Sequence, residues 1–251
     1  MRSDWLSPLH SVLAEQDAPL TVFFRDDDAG WDDARLNALL DCFAPTATPI
    51  DLAVIPVSIG EPLAEYLLER RERNPAVLGL HQHGYAHVNH ESEGRKCEFG
   101  PARAGEDQLR DLLAGKERLT RLLGPALDSL FTPPWNRCTA ITGECLAALG
   151  YSGLSRDRTA IPLQRDDLPE LPVHIDWCGM RARSNSPWED LGKALALHVV
   201  NQPESAVGIM LHHAVMDEDD LGHLDGLLAL LAGDGTVHRR LMRQCLSPDR
   251  P

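Results

Sequence analysis

Three separated segments of this chain carry side chains suited to hydrolysis at a bound cation. Arg25-Asp26-Asp27-Asp28 follows an apolar run at 20–24. His83-Gly84-Tyr85-Ala86-His87 follows a second run at 76–81, and Leu211-His212-His213 closes a third at 206–211. Carboxylates and imidazoles at strand ends are costly to bury unless they pair, bind a metal or do chemistry. Successive residues leaving a strand point in opposite directions, so the three aspartates cannot share one task. A divalent cation would neutralise one or two of them; the plainer alternative is a solvated helix cap before residue 34. His83 and His87 are four apart and on one helical turn would face the same cation, with Gly84 letting the backbone pass close to it. His81 and His83 form a rival pair if the strand continues, but Gly84-Tyr85 breaks it and favours His83 with His87. Pro133-Pro134-Trp135-Asn136-Arg137 is a rigid turn that can aim an amide at developing negative charge. One of His212 and His213 would point into the mouth of the fold, where a histidine can serve as a general acid.

The segments that position these groups alternate in type. Strand-like runs fall at 20–24, 50–56, 76–81, 129–132, 152–155, 173–176 and 206–211. Helix-like runs fall at 34–43, 62–73, 106–123, 142–149, 188–200 and 219–231. Leu109, Leu112, Leu113 and Leu119 repeat at helical spacing in the longest of them. Such alternation predicts a mostly parallel sheet with helical crossovers. In an α/β barrel, function sits on loops at the C-terminal ends of the strands, and every polar cluster above falls at such an end. With no clear linker, residues 1–240 read as one domain and 241–251 as a polar, flexible tail. The polar stretch from Glu91 to Gly105 is long enough to be functional or mobile.

Composition narrows the partners. The 251 residues carry a formal charge of −14, which argues against nucleic acid and anionic membranes and disfavours polyanionic substrates unless a local basic pocket overrides the global sign. No apolar run approaches a membrane span of roughly 20 residues, and the N-terminus lacks a signal-peptide pattern, so a cytoplasmic location is expected. Six scattered cysteines without a Cys-x-x-Cys pair predict free thiols.

Taken in order, these residues resemble the polysaccharide deacetylases of carbohydrate esterase family four. The resemblance rests on Asp27-Asp28, His83 and His87, Pro133-Pro134-Trp135, Asp176-Trp177 and Leu211-His212, and spans about three quarters of the chain. It is nearest to a short, signal-less branch with Arg-Asp-Asp-Asp, His-Gly-x-x-His and Pro-Pro-Trp-Asn-Arg. It implies an irregular (β/α) barrel, usually of seven strands. It implies that Asp28, His83 and His87 hold one divalent metal, most often Zn²⁺, with Co²⁺, Ni²⁺ or Fe²⁺ also compatible with such donors. Asp27 would be the general base and His212 the general acid. The Trp135 N–H would stabilise the oxyanion, Trp177 would wall the acetyl pocket, and Asp176 and Arg137 would complete the substrate site. The implied reaction is removal of an N-acetyl group from an amino-sugar substrate by a metal-activated water. A cytoplasmic location would point to a soluble or lipid-linked N-acetylated precursor. Three departures stand out. The family's last motif often reads His-Asp, whereas this chain has His212-His213, which alters the partner of the acid. The family's arginine partner for the base is replaced by Thr132, leaving Arg25 or Arg137 to supply that charge. The extra Asp26 leaves the register of base and ligand open by one. Two other readings stay in play: a different metallohydrolase using His81 and His83, and a carbohydrate-binding pseudoenzyme.

Overall fold

The computed structural model describes residues 4–16, 18–202 and 205–246. Seven parallel strands follow one path: β1 (Leu20–Ala29), β2 (Ile50–Val54), β3 (Leu78–His83), β4 (Leu127–Thr132), β5 (Gly153–Leu154), β6 (Ile175–Asp176) and β7 (Val207–Leu211). Their order in the sheet is β5-β4-β3-β2-β1-β7-β6. The sheet curls toward a barrel, and residues 170–173 span the gap between its outer strands by bridging to Leu154 and Asp157. An eighth strand, β8 (Val237–Arg239), lies parallel to the start of β1, so the run at 206–211 is not the last strand.

The helices are α1 (Ser7–Glu15), α2 (Asp33–Phe43), α3 (Glu61–Arg73), α4 (Gly105–Leu123), α5 (Ala140–Ala148), α6 (Trp177–Arg183), α7 (Pro187–Asn201), α8 (Glu218–Gly233) and α9 (Met242–Leu246). The main apolar core lies between sheet and helices; β2, β3 and β7 are buried over their whole length and β1 at every position but Thr21. Burial on both faces explains the apolar runs within these strands. The cap of α2 is Asp32, whose carboxylate accepts from the Arg35 N–H at 3.3 Å, so the aspartate run is not a helix cap.

The central strand departs from expectation in a way that builds the site. β1 does not stop at Phe24; it runs on through Arg25–Asp28, and all four of these residues are buried. The pairing with β2 shifts register between Asp26 and Ala29, and Asp28 is left-handed at φ 75°. A bulge re-aims the side chains beside it. Without it, Asp27 and Asp28 would point to opposite faces of the sheet.

The C-terminal segment also differs from a flexible tail. Leu241 and Met242 are buried, the Met242 N–H donates to Asp51 Oδ2 at 2.8 Å, and Arg243 pairs with Asp128 at 2.9 Å. Packing therefore reaches residue 246; residues 1–3 of the expected domain and 247–251 of the expected tail lie outside the described residues. The stretch from Glu91 to Gly105 is tied down as well, with Cys97, Glu98 and Phe99 buried.

Candidate metal centre and active site

Asp28, His83 and His87 converge at the C-terminal end of the sheet. The Asp28 Oδ1 lies 3.2 Å from His83 Nε2 and 3.1 Å from His87 Nε2. Among the described residues these three are the one group whose donor atoms all lie within 4.8 Å of one another. The donor chemistry fits a divalent cation. Asp28 Oδ1 is buried and faces the Nε2 atoms of both imidazoles; burial opposes its ionisation, but the two histidines outweigh it and hold the carboxyl well below the ordinary carboxylate range, so an anionic oxygen and two ring nitrogens converge where a cation would sit. His83 Nδ1–H donates to the Thr132 carbonyl at 3.0 Å, which fixes the tautomer and leaves the Nε2 lone pair facing Asp28. Two imidazoles and one carboxylate leave coordination positions open, as catalytic sites do.

His83 and His87 do not meet on a helical turn. β3 ends at His83, and Gly84 (φ 55°) and His87 (φ 56°) turn the chain back through two left-handed residues. A side chain at Gly84 would collide with Glu98 and Pro134, so glycine is required there. Composition gives no hint of what holds this turn. The buried Glu98 accepts from the N–H groups of Tyr85 (3.1 Å) and Ala86 (2.7 Å). Nothing in the sequence separates Glu98 from the other acids of its stretch. Glu98→Gln keeps the shape but weakens charge-assisted bonds. It is expected to lower metal affinity by about tenfold or more, as supporting partners of ligands generally do; metal titration followed by calorimetry checks this.

Asp27 is held apart from the metal group. Arg25, fully buried, grips it at both oxygens, Nε to Oδ1 at 2.8 Å and Nη2 to Oδ2 at 2.9 Å. The same guanidinium donates to Ser155 Oγ (2.8 Å) and Asn136 Oδ1 (2.7 Å). Burial opposes ionisation of Asp27, but Arg25, then His83 and His212, outweigh it and hold the carboxyl below its ordinary value. His212 Nε2 is 4.0 Å from Asp27 Oδ2 and is partly exposed. Arg25, and not Arg137, is thus the charge partner of Asp27. Arg137 instead donates to the Lys96 carbonyl at 2.8 Å, facing a neighbouring cleft.

The remaining polar residues divide between site and scaffold. His213 donates through Nδ1 to Asp26 at 2.6 Å and through Nε2 to the Trp31 carbonyl at 2.7 Å, so Asp26 lies outside the metal group. Burial disfavours the His213 imidazolium, yet Asp26 wins and pushes its pKa up to about 9 from an ordinary 6.5. A raised histidine pKa contributes stability that is present in full below about pH 6.5 and disappears as pH rises through 9. Unfolding free energy is expected to fall by on the order of 3 kcal/mol across that window, and His213→Gln should flatten the slope in denaturant titrations. His81 shares a 2.8 Å bond with Thr132 Oγ1 and is absent from the metal group; burial, then Arg25, depresses its pKa to about 3.

Trp135 is left-handed (φ 55°), its ring packs at a tilt of 58° against His87 with centroids 4.5 Å apart, and its backbone N–H has no acceptor among the described residues. Four of the seven left-handed non-glycine residues among the described residues, Asp28, His87, Trp135 and Asn136, cluster here, and strain of this kind concentrates where geometry serves function. Trp177 does not wall an acetyl pocket. It has no exposed surface, sits in the core against Trp5 and Trp188, and donates its indole N–H to Asp220 at 3.0 Å. Asp176 caps α6, accepting from the Gly179 N–H at 2.9 Å while its other oxygen lies 3.6 Å from Arg183 of the same helix.

The fold is that of the polysaccharide deacetylases of carbohydrate esterase family four. A Mycobacterium smegmatis structure assigned as a polysaccharide deacetylase superposes with a TM-score of 0.64 at 16% identity, covering 93% of this chain and 91% of that one. A family 4 carbohydrate esterase from Streptomyces lividans, in complex with acetate, gives 0.55 at 13% identity, covering 86% and 90%. A family 4 pseudoenzyme from Bacillus anthracis gives 0.60 at 9% identity, covering 92% and 66%. At such identities the likeness establishes the fold and leaves activity to the site residues. No family model and no curated protein sequence matches the chain.

Proposed function

We propose that this protein is a metal-dependent hydrolase that removes an N-acetyl group from an amino-sugar-containing substrate. The carrying observation is the juxtaposition of two groups in a deacetylase fold: Asp28, His83 and His87 around one point, and the Arg25-clamped Asp27 within 4.0 Å of His212. Asp28, His83 and His87 would hold the cation, most suitably Zn²⁺, with Co²⁺, Ni²⁺ or Fe²⁺ compatible. Such a cation acidifies water and polarises a carbonyl. Asp27, ionised because Arg25 favours its charged form, takes the proton of the attacking water. The Trp135 N–H donates to the developing oxyanion. His212 gives a proton to the departing nitrogen, and the products are acetate and a free amine.

Two competing readings lose support. His81 is committed to Thr132, which disfavours a His81–His83 metal pair. The missing arginine at Thr132 suggested a pseudoenzyme, but Arg25 takes over its pairing with the base. No helix among the described residues is long and apolar enough to cross a membrane. A cytoplasmic enzyme acting on a soluble or lipid-linked N-acetylated precursor fits this reading. The test is acetate and amine release from N-acetylglucosamine-containing substrates after loading with each metal in turn. Equimolar acetate and amine are expected. Metal uptake without acetate release would redirect the reading to another acyl group, and failure to take up any metal would favour the pseudoenzyme.

A further inference from the structure

Resting on the deacetylase reading, we propose that Trp31 is a specificity-determining platform: its indole receives the C–H face of the sugar ring that carries the acetamide, and the buried Asp26–His213 pair holds it in place. Trp31 is the most exposed of the five tryptophans, at 38%. Its ring lies at the metal centre, at 67° to the His87 ring with centroids 4.7 Å apart. His87 also packs against Trp135, so the imidazole of this ligand touches both indoles. A substrate with its acetamide carbonyl at the cation and the Trp135 N–H has its sugar ring at the mouth beside His87. Val57 and Val88, on the loops that follow β2 and β3, are exposed there as well, and the Val57 N–H donates to the Tyr85 carbonyl of the metal-ligand turn at 3.2 Å. An apolar wall beside a few polar groups suits a pyranose, which has C–H faces and a hydroxyl-bearing edge.

Trp31 is fixed from three directions while its ring stays open to solvent. Its N–H donates to the Asp28 carbonyl at 3.1 Å, its ring packs on His87, and its carbonyl accepts from His213 Nε2 at 2.7 Å. His213 is anchored in turn, since its Nδ1 and its backbone N–H both donate to Asp26, at 2.6 and 2.9 Å, and neither side chain has exposed surface. The loop that presents Trp31 passes through positive φ at Asp28 (75°), Gly30 (113°) and Asp32 (45°). A side chain at Gly30 would come within 3.0 Å of Ser58 Cβ and 3.1 Å of the Ile59 nitrogen, so this loop is seated on the one that follows β2. A tryptophan that only fills space is covered, because burying its large surface is where its energy comes from. Here the backbone is locked and the ring is left uncovered, which is what a binding surface needs, since a ring already in place loses little freedom when a ligand arrives. Asp26 and His213 are also residues by which this chain departs from the family's motifs, and the strap gives both a task. The substrate class assigned is thus a cyclic N-acetylated amino sugar, selected over acyclic acetamides by Trp31.

The test compares kcat/KM for the N-acetylglucosamine disaccharide with that for N-acetylethanolamine, an acyclic acetamide. Wild-type, Trp31→Ala, Trp31→Phe and His213→Gln proteins are assayed, with metal content measured on each sample. Wild type is expected to favour the sugar. Trp31→Ala should lose about tenfold of that preference, chiefly through KM, which is the size of an aromatic contact. Trp31→Phe keeps a smaller aromatic face and should recover most of it. A glutamine at 213 cannot bond both Asp26 and the Trp31 carbonyl, so His213→Gln should lose part of the preference while Trp31 itself is intact. Equal kcat/KM for the two substrates in wild type, or a preference unmoved in Trp31→Ala, would overturn the platform. Metal lost from Trp31→Ala, with both substrates slowed alike, would make Trp31 a packing residue for His87 and overturn it too. An unmoved preference in His213→Gln would remove the anchor. If no substrate releases acetate, the failure belongs to the deacetylase reading, and calorimetry of the disaccharide on Zn²⁺-loaded protein decides the platform alone. Binding weakened in Trp31→Ala and kept in Trp31→Phe supports it; equal binding in wild type and Trp31→Ala, or none in wild type, removes it.

Discussion

Asp28→Ala and His83→Ala proteins are expected to retain roughly a tenth or less of the wild-type metal after dialysis. Acetate release should fall by about 10³-fold or more, because the cation supplies both the acidified water and the polarised carbonyl. The two substitutions act differently on the fold, which makes the pair informative. Asp28 Oδ1 contacts His83 and His87, the other two ligands, so its removal takes away a ligand and disturbs little outside the metal group. His83 also donates to the Thr132 carbonyl, so its removal leaves that buried acceptor with one bond fewer. Wild type should gain thermal stability on addition of Zn²⁺ through linkage, and neither variant should. His81→Gln is the control, since His81 lies outside the group; it should keep its metal. Metal kept by Asp28→Ala but lost in both the His83 and the His81 variants would move the centre to the rival His81–His83 pair, and full metal content in both alanine variants would remove the assigned centre altogether.

How much of this was legible in the sequence depends on the range over which each feature is encoded. Asp28, His83 and His87 stand out because residue type and strand-end position are local properties. Their geometry was less legible. The spacing of His83 and His87 suggests a helical turn, whereas two left-handed residues and the Glu98 carboxylate shape the actual one. Glu98 lies 11 positions beyond His87 in a polar stretch and becomes recognisable only when folding buries it. Trp177 misleads for the same reason. The pair Asp176-Trp177 reads as a site motif, but Asp220, at the first turn of α8, captures the indole and the core closes over it. The polar look of the last residues hides Leu241 and Met242, which dock because Asp51 holds the backbone at Met242. Short elements such as α6, β8 and α9 carry too few turns or alternations to register as periodicity.

The choice between Arg25 and Arg137 is the clearest such case, and it carries the second large effect. Sequence leaves both as partners of the base; the structure gives Asp27 to Arg25 through two parallel bonds on adjacent turns of the strand pleat. Removing one member of a buried ion pair typically costs 3–5 kcal/mol, because the other charge is left uncompensated. Arg25→Met should therefore lower the thermal midpoint by roughly 10 °C and reduce kcat by about 10²-fold. The pH profile gives the direct signature. Asp27 acts as a base only when ionised, so activity falls as pH drops through its pKa. Without Arg25, burial dominates and raises that pKa, so the acidic limb of kcat/KM should move to higher pH. A bound cation shifts wild type and variant in the same sense, so the difference between the two limbs survives it. Arg25→Lys should fall between, keeping the charge and losing the fork. Arg25→Met combined with Asp27→Asn should recover much of the stability, since no buried charge is then unpaired, while activity stays lost. An Arg25→Met protein with an unmoved acidic limb would show that Asp27 is ionised by something other than Arg25, and the assignment of Arg25 as the positioning residue for the base would fall.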